Sequence, residues 1–122
     1  MDLIKLCAVA SNTAGEAFSP PLSGLIHKVR LVYGNNPGTQ ADVTLTAQAD
    51  PPGEFIINRP NAATNKTFYP RRAVQDALGN SLTLDGIQPL SEPYAVHGRL
   101  CLTLKQANPG SQCTAYIWLL RV

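Results

Sequence analysis

The sequence is poor in charge. Asp, Glu, Lys and Arg make up 15% of its 122 residues, against roughly 25% in an ordinary soluble domain. Two readings follow: partners cover part of the surface, or Ser, Thr, Asn and Gln solvate it instead. The formal charge is only +2, and the basic residues are scattered, with only Arg71 and Arg72 adjacent. Nucleic-acid binding draws on many clustered Lys and Arg that neutralise phosphates, so no nucleic-acid partner is expected. Long hydrophobic runs are missing as well. Nothing approaches the roughly 20 apolar residues of a membrane-spanning helix, and no membrane partner is expected. The apolar segment Met1 to Ala10 has Asp2 where a secretory signal is positive, and Lys5 interrupts it, so it reads as a strand of the mature chain. The three cysteines, Cys7, Cys101 and Cys113, are odd in number and widely spaced. They close no disulfide framework and lack zinc-ligand spacing, so reduced, packed thiols are expected.

Motifs of catalysis are lacking too. The sequence has no nucleophile elbow, P-loop, EF-hand, H-E-x-x-H or dinucleotide fingerprint. His27 sits among apolar residues on what reads as the inward face of a strand, the place of a packed core histidine. His97 lies on a polar face with no nucleophile to serve. The carboxylates are dispersed, and Asp76 and Asp85 flank Gly79-Asn80 as turn-capping acceptors. The chain is therefore expected to be no enzyme, with no catalytic residues, metal or cofactor.

What the sequence has is punctuation. Ten prolines and nine glycines gather at Ser19-Pro20-Pro21, Gly34 to Gly38, Asp50 to Gly53, Gly79-Asn80 and Asn108-Pro109-Gly110, the spacing of an all-β chain. Between these clusters side chains alternate with the two-residue period of strands. In Leu25 to Tyr33 the set Leu25, Val29, Leu31 and Tyr33 opposes Lys28 and Arg30. In Asp42 to Ala49, Val43, Leu45 and Ala47 oppose Thr44, Thr46 and Gln48. Glu54 to Asn58 and Lys66 to Tyr69 are shorter strands, and Arg71 to Leu78 has room for one helical turn. Tyr94 to Lys105 reads as one strand, with Val96, Leu100, Leu102 and Leu104 on one face and His97, Arg99, Cys101, Thr103 and Lys105 on the other. Gln112 to Val122 is apolar on both faces. The expectation is one domain over residues 1–122, a β-sandwich or jelly-roll-like barrel of about eight short antiparallel strands, with residues 1–24 supplying an N-terminal strand and an arm that contacts a neighbour.

A hairpin turning about Asn108-Pro109 places Trp118 opposite Arg99, Leu120 opposite His97, Tyr116 opposite Cys101 and Leu104 opposite Cys113. That register makes Tyr116, Trp118, Leu120, His97 and Arg99 an interface, a mixture of aromatic anchors and arginine enriched at protein contacts. A register shifted by one residue would bury Trp118 instead.

The stretch Thr67-Phe68-Tyr69-Pro70-Arg71, Asp76 with Gly79, the segment Val96 to Leu104, the closing aromatic strand and the earlier Asp42-Val43-Thr44-Leu45-Thr46 together resemble small capsid decoration or cement proteins of tailed bacteriophages. The likeness covers roughly residues 25 to 122. It implies a non-enzymatic virion structural protein on the capsid surface, assembled in the host cytoplasm, that binds the major capsid protein and itself, as a homotrimer by preference. Two other roles compete: a lectin-like carbohydrate-binding sandwich with Tyr94, Tyr116 or Trp118 stacked on sugar, and a phage tail or head-to-tail connection protein.

Overall fold

The structure, a computed structural model, describes residues 1–48, 53–83, 86, 88 and 90–121. Among the described residues it is all-β, with ten strands where about eight are expected: β1 (Asp2–Val9), β2 (Gly15–Phe18), β3 (Leu22–Gly34), β4 (Asp42–Ala47), β5 (Glu54–Arg59), β6 (Lys66–Phe68), β7 (Arg71–Ala73), β8 (Ser91–Gly98), β9 (Leu100–Lys105) and β10 (Gln112–Arg121). They form two antiparallel sheets. The larger runs β1-β10-β3-β8-β7, with β6 paired to the second half of β3, and the smaller runs β2-β9-β4-β5. Inner faces of the two sheets meet in one core: Leu6, Ile26, Val29, Leu31, Ala115, Ile117 and Leu119 from the larger, Val43, Leu45, Ile57, Leu100, Leu102 and Leu104 from the smaller. At roughly 25 cal/mol per Å² of buried apolar area, this aliphatic layer is the main source of stability.

The expected C-terminal hairpin does not form. β10 pairs with β1 and β3, and β9 with β2 and β4, so the segment around Asn108 is an arch that carries the chain from one sheet to the other. Beside the local bonds that Ser111 N–H and Oγ donate to Asn108 O, its hydrogen bonds go to other loops. Ala107 N–H donates to Thr13 O, Asn108 N–H to Pro37 O and Gly110 N–H to Ala10 O, at 2.9 to 3.0 Å. The Asn108 amide donates to Asn36 O and the Asn35 amide to Gly110 O. These long-range bonds satisfy the loop backbone that a tight hairpin would have paired locally. Leu102 and Leu104 thus belong to the opposite wall of the core from Cys113 and Ala115 instead of lying beside them.

The long strand expected over Tyr94 to Lys105 is also two strands. β8 ends at Gly98, whose φ is +116°, a conformation that costs a side-chain-bearing residue dearly and glycine little. After it the chain leaves the larger sheet and β9 begins in the smaller one. Val96, Leu100, Leu102 and Leu104 do all point into the core, but from opposite walls. A third departure lies in β3. Trp118 pairs with Lys28 and the next pair is Leu119 with Ile26, so a bulge at His27 shifts the alternation. Ile26 enters the core in place of the expected Leu25, which is half-buried on the other face, and His27 is exposed instead of inward.

Two further expectations hold. Tyr69-Pro70 is a corner between β6 and β7. Asp76 Oδ1 accepts hydrogen bonds from Leu78 N–H and Asn80 N–H at 2.9 and 3.0 Å, the capping role its spacing implied; Asp85 lies outside the described residues. Arg71 to Ala73 is a short strand, with a turn following in place of a helix. The first 24 residues belong to the sandwich itself: β1 and β2 are the outermost strands of the two sheets, joined by a corner so tight that a Cβ on Gly15 would lie 1.9 Å from Val9 O.

Candidate interaction face

β10 is a central strand of the larger sheet, and its alternation decides the site. Cys113, Ala115, Ile117 and Leu119 point inward, leaving Gln112, Thr114, Tyr116, Trp118 and Leu120 on the outer face. Pairing builds rows across that face. Leu3, Trp118 and Lys28 form one row, and Lys5, Tyr116 and Arg30 the next. Leu120, Leu25 and Ala95 form a third toward the sheet end. Trp118 and Tyr116 are half-buried, while Leu3 is 54% and Leu120 48% exposed.

The electrostatics of the face have one sign. Lys5, Lys28, Arg30 and Arg71 occupy outward positions of β1, β3 and β7, and none of the described outward strand positions carries a carboxylate. Lys28 Nζ lies 4.7 Å from the centroid of the Trp118 ring, and Lys5 Nζ 5.8 Å from that of Tyr116. Such cation–π contacts are worth about 0.5–1 kcal/mol at exposed sites and more where water is excluded. Arg30 donates to Thr67 Oγ1 at 2.9 Å. At the far side Arg71 donates to the carbonyls of His27 and Pro70 at 3.2 and 2.8 Å, and the Tyr69 ring meets His27 edge-on at 6.1 Å. The Tyr-Pro-Arg corner therefore packs on the β3 bulge.

Of the five residues expected at the interface, Tyr116, Trp118 and Leu120 lie together on this face. His97 is exposed on β8 opposite Ser23, at the margin of the same face. Arg99 is exposed beyond the crossover at Gly98, where its carbonyl accepts from Gln48 N–H; it does not meet Trp118. The cation over the indole is Lys28. Sequence reasoning missed Leu3, Lys5, Lys28 and Arg30 as members of the face, because only pairing with β1 and β3 brings them beside β10.

The thiols divide by face. Cys7 points outward from β1, whereas Cys113 is fully buried in the neighbouring strand. Burial pushes the Cys113 thiol up to about 12, with the Cys7 thiol adding to the rise. Cys101 is covered on the outer side of the smaller sheet between Phe18 and Thr46, and burial raises its thiol too. All three are free. Among the described residues no three His, Cys, Asp or Glu converge as metal ligands. No family model, curated protein or solved structure matches the chain.

Proposed function

We propose that this protein is a non-enzymatic virion structural protein that decorates or cements a phage capsid by binding the major capsid protein through the outer face of its larger sheet, and by associating with copies of itself. The observation that carries the reading is that face: two aromatic rings and two exposed leucines, ringed by cations with no opposing carboxylate. Aromatic anchors with basic neighbours are the composition of protein docking surfaces. Lys28 and Lys5 already sit over the two rings, which leaves a poorer platform for stacking sugar and favours a protein partner. Four strands about 4.8 Å apart and eight residues long present roughly 500 Å². That is below the roughly 800 Å² per partner of a standard stable interface, so useful adhesion depends on many copies acting together.

The test is sedimentation of the purified chain with capsid shells assembled without it, together with mass spectrometry of complete virions. Co-sedimentation at a fixed ratio to the capsid protein supports the reading. Absence from virions and no binding to shells overturns it.

A further inference from the structure

Charge on this molecule is sorted by side. Lys5, Lys28, Arg30 and Arg71 stand on the outer face of the larger sheet, whereas the one ion pair among the described residues, Arg121 with Asp2, belongs to the inward alternation of β1 and β10. Carboxylates are engaged elsewhere: Asp42 accepts from Asn61 N–H, Asp76 caps its own turn, and Glu16 lies beside the Cys101 thiol on the smaller sheet. Lys5 and Lys28 each turn one side to an aromatic ring, at 5.8 and 4.7 Å from its centroid. An ammonium so placed keeps N–H donors for an acceptor, and the described residues supply none.

The arrangement narrows what can cover this face. Trp118 and Tyr116 run down β10, with Lys5 beside them on β1 and Lys28 and Arg30 on β3. The two cationic margins therefore lie two strand spacings apart, about 10 Å, with an apolar stripe between them that Leu120 extends. An α-helix with its side chains is about 10–12 Å across. A polyphosphate chain would satisfy the cations and leave the rings and leucines wet. A purely apolar segment would cover the cations without any counter-charge, which is costly. We infer that the occupant of this face is an acidic amphipathic helix of a partner protein. Its apolar stripe lies along Trp118 and Tyr116, and carboxylates on its two flanks reach Lys5 on one side and Lys28 and Arg30 on the other. Opposite potentials meeting in this way speed the encounter and fix the register. The inference rests on the reading of this face as the docking face and names the chemistry that the partner carries.

The test is a titration of the full chain, read by the emission of Trp118, its single tryptophan. The probes are a helical peptide of about 18 residues with a leucine stripe flanked by glutamates, the same peptide with lysine for each glutamate, and inorganic polyphosphate. The glutamate peptide should give a saturable shift and the lysine peptide none. Raising salt from about 0.1 to 1 M shortens the screening length from about 10 to 3 Å and should weaken the glutamate peptide at least tenfold. Lys28→Gln with Arg30→Gln, folded by circular dichroism, should weaken it at least fivefold, while Lys105→Gln on the smaller sheet should leave it unchanged. No response to the glutamate peptide overturns the inference, and so does polyphosphate binding as tightly as that peptide, which would make the face a general polyanion site. Shells lacking the chain separate the two readings. A glutamate-peptide response without shell binding overturns the capsid reading alone, and shell binding that survives Lys28→Gln with Arg30→Gln overturns this inference alone.

Discussion

The two sheets share one core and differ on their outer sides. The larger presents Trp118, Tyr116, Leu3 and Leu120 among Lys5, Lys28 and Arg30. The smaller presents Thr44, Thr46 and Thr103 beside Glu16, Asp42 and Lys105, with Phe18 and Phe55 at its two edges. Charge of both signs with threonine between is what a solvated sheet needs. One sign of charge around aromatic rings is what a docking face needs. The difference teaches that inward and outward positions answer to different demands, and it is why the proposed function is assigned to one side of a common scaffold.

That contrast can be broken from the inside first. Leu102 is fully buried in the shared core, so Leu102→Ala should destabilise by about 2–5 kcal/mol, measured by urea unfolding, with no change to the outer faces. A loss under 1 kcal/mol would mean that the sheets are not packed as described.

Alkaline pH attacks the same layer. Cys113 is held up to about 12 by burial, and Tyr94 to about 12 by burial and then by its hydrogen bond to the Glu54 carboxylate. Both neutral forms are favoured in the fold, so their stability contribution is complete below the unfolded values near 9 and 10. It falls as pH rises toward 12, with a slope approaching about 1.4 kcal/mol per pH unit for Cys113 and a shallower, solvent-screened one for Tyr94. Chemical denaturation between pH 8 and 11 should show this decline, and Cys113→Ala should remove the part that begins near pH 9.

A smaller effect is expected where the sandwich opens at its side. Arg59 lies over the rings of Tyr33 and Phe68 at 5.6 and 5.9 Å and donates to Thr64 Oγ1 at 2.9 Å. Arg59→Ala should cost about 1 kcal/mol through lost packing and cation–π contact. Smaller still, Lys28→Ala should cost about 0.5 kcal/mol and shift the emission of Trp118, the single tryptophan.

Much of this fold was legible in the sequence because strand alternation and turn chemistry are local. Val43 and Leu45 inward, Leu100, Leu102 and Leu104 inward, the Asp76 turn and the two-faced β10 all follow from neighbours in the chain. The pairing was not legible. The loop at Asn108 reads as a hairpin until Thr13, Pro37 and Ala10 are seen accepting its N–H groups, and these partners are about 70 to 100 residues away in the chain. Gly98 looks like an ordinary strand glycine until its positive φ redirects the chain. The bulge at His27 is silent as well, since both Leu25 and Ile26 are apolar and either satisfies the pattern. The hairpin register that sets Trp118 on the outer face does not form. The placement holds because the parity of β10, not its neighbour, decides which way the indole points.

The measurement that bears most directly on the proposed docking face compares the two outer sides in one experiment. Trp118→Ala on the larger sheet, and Phe18→Ala with Phe55→Ala on the smaller, are each checked for native circular dichroism and then sedimented with capsid shells lacking the chain. The account predicts that Trp118→Ala stays folded and loses at least tenfold in shell binding while the phenylalanine variant binds as the wild type does. Unchanged binding by a folded Trp118→Ala, or loss confined to the phenylalanine variant, would contradict it.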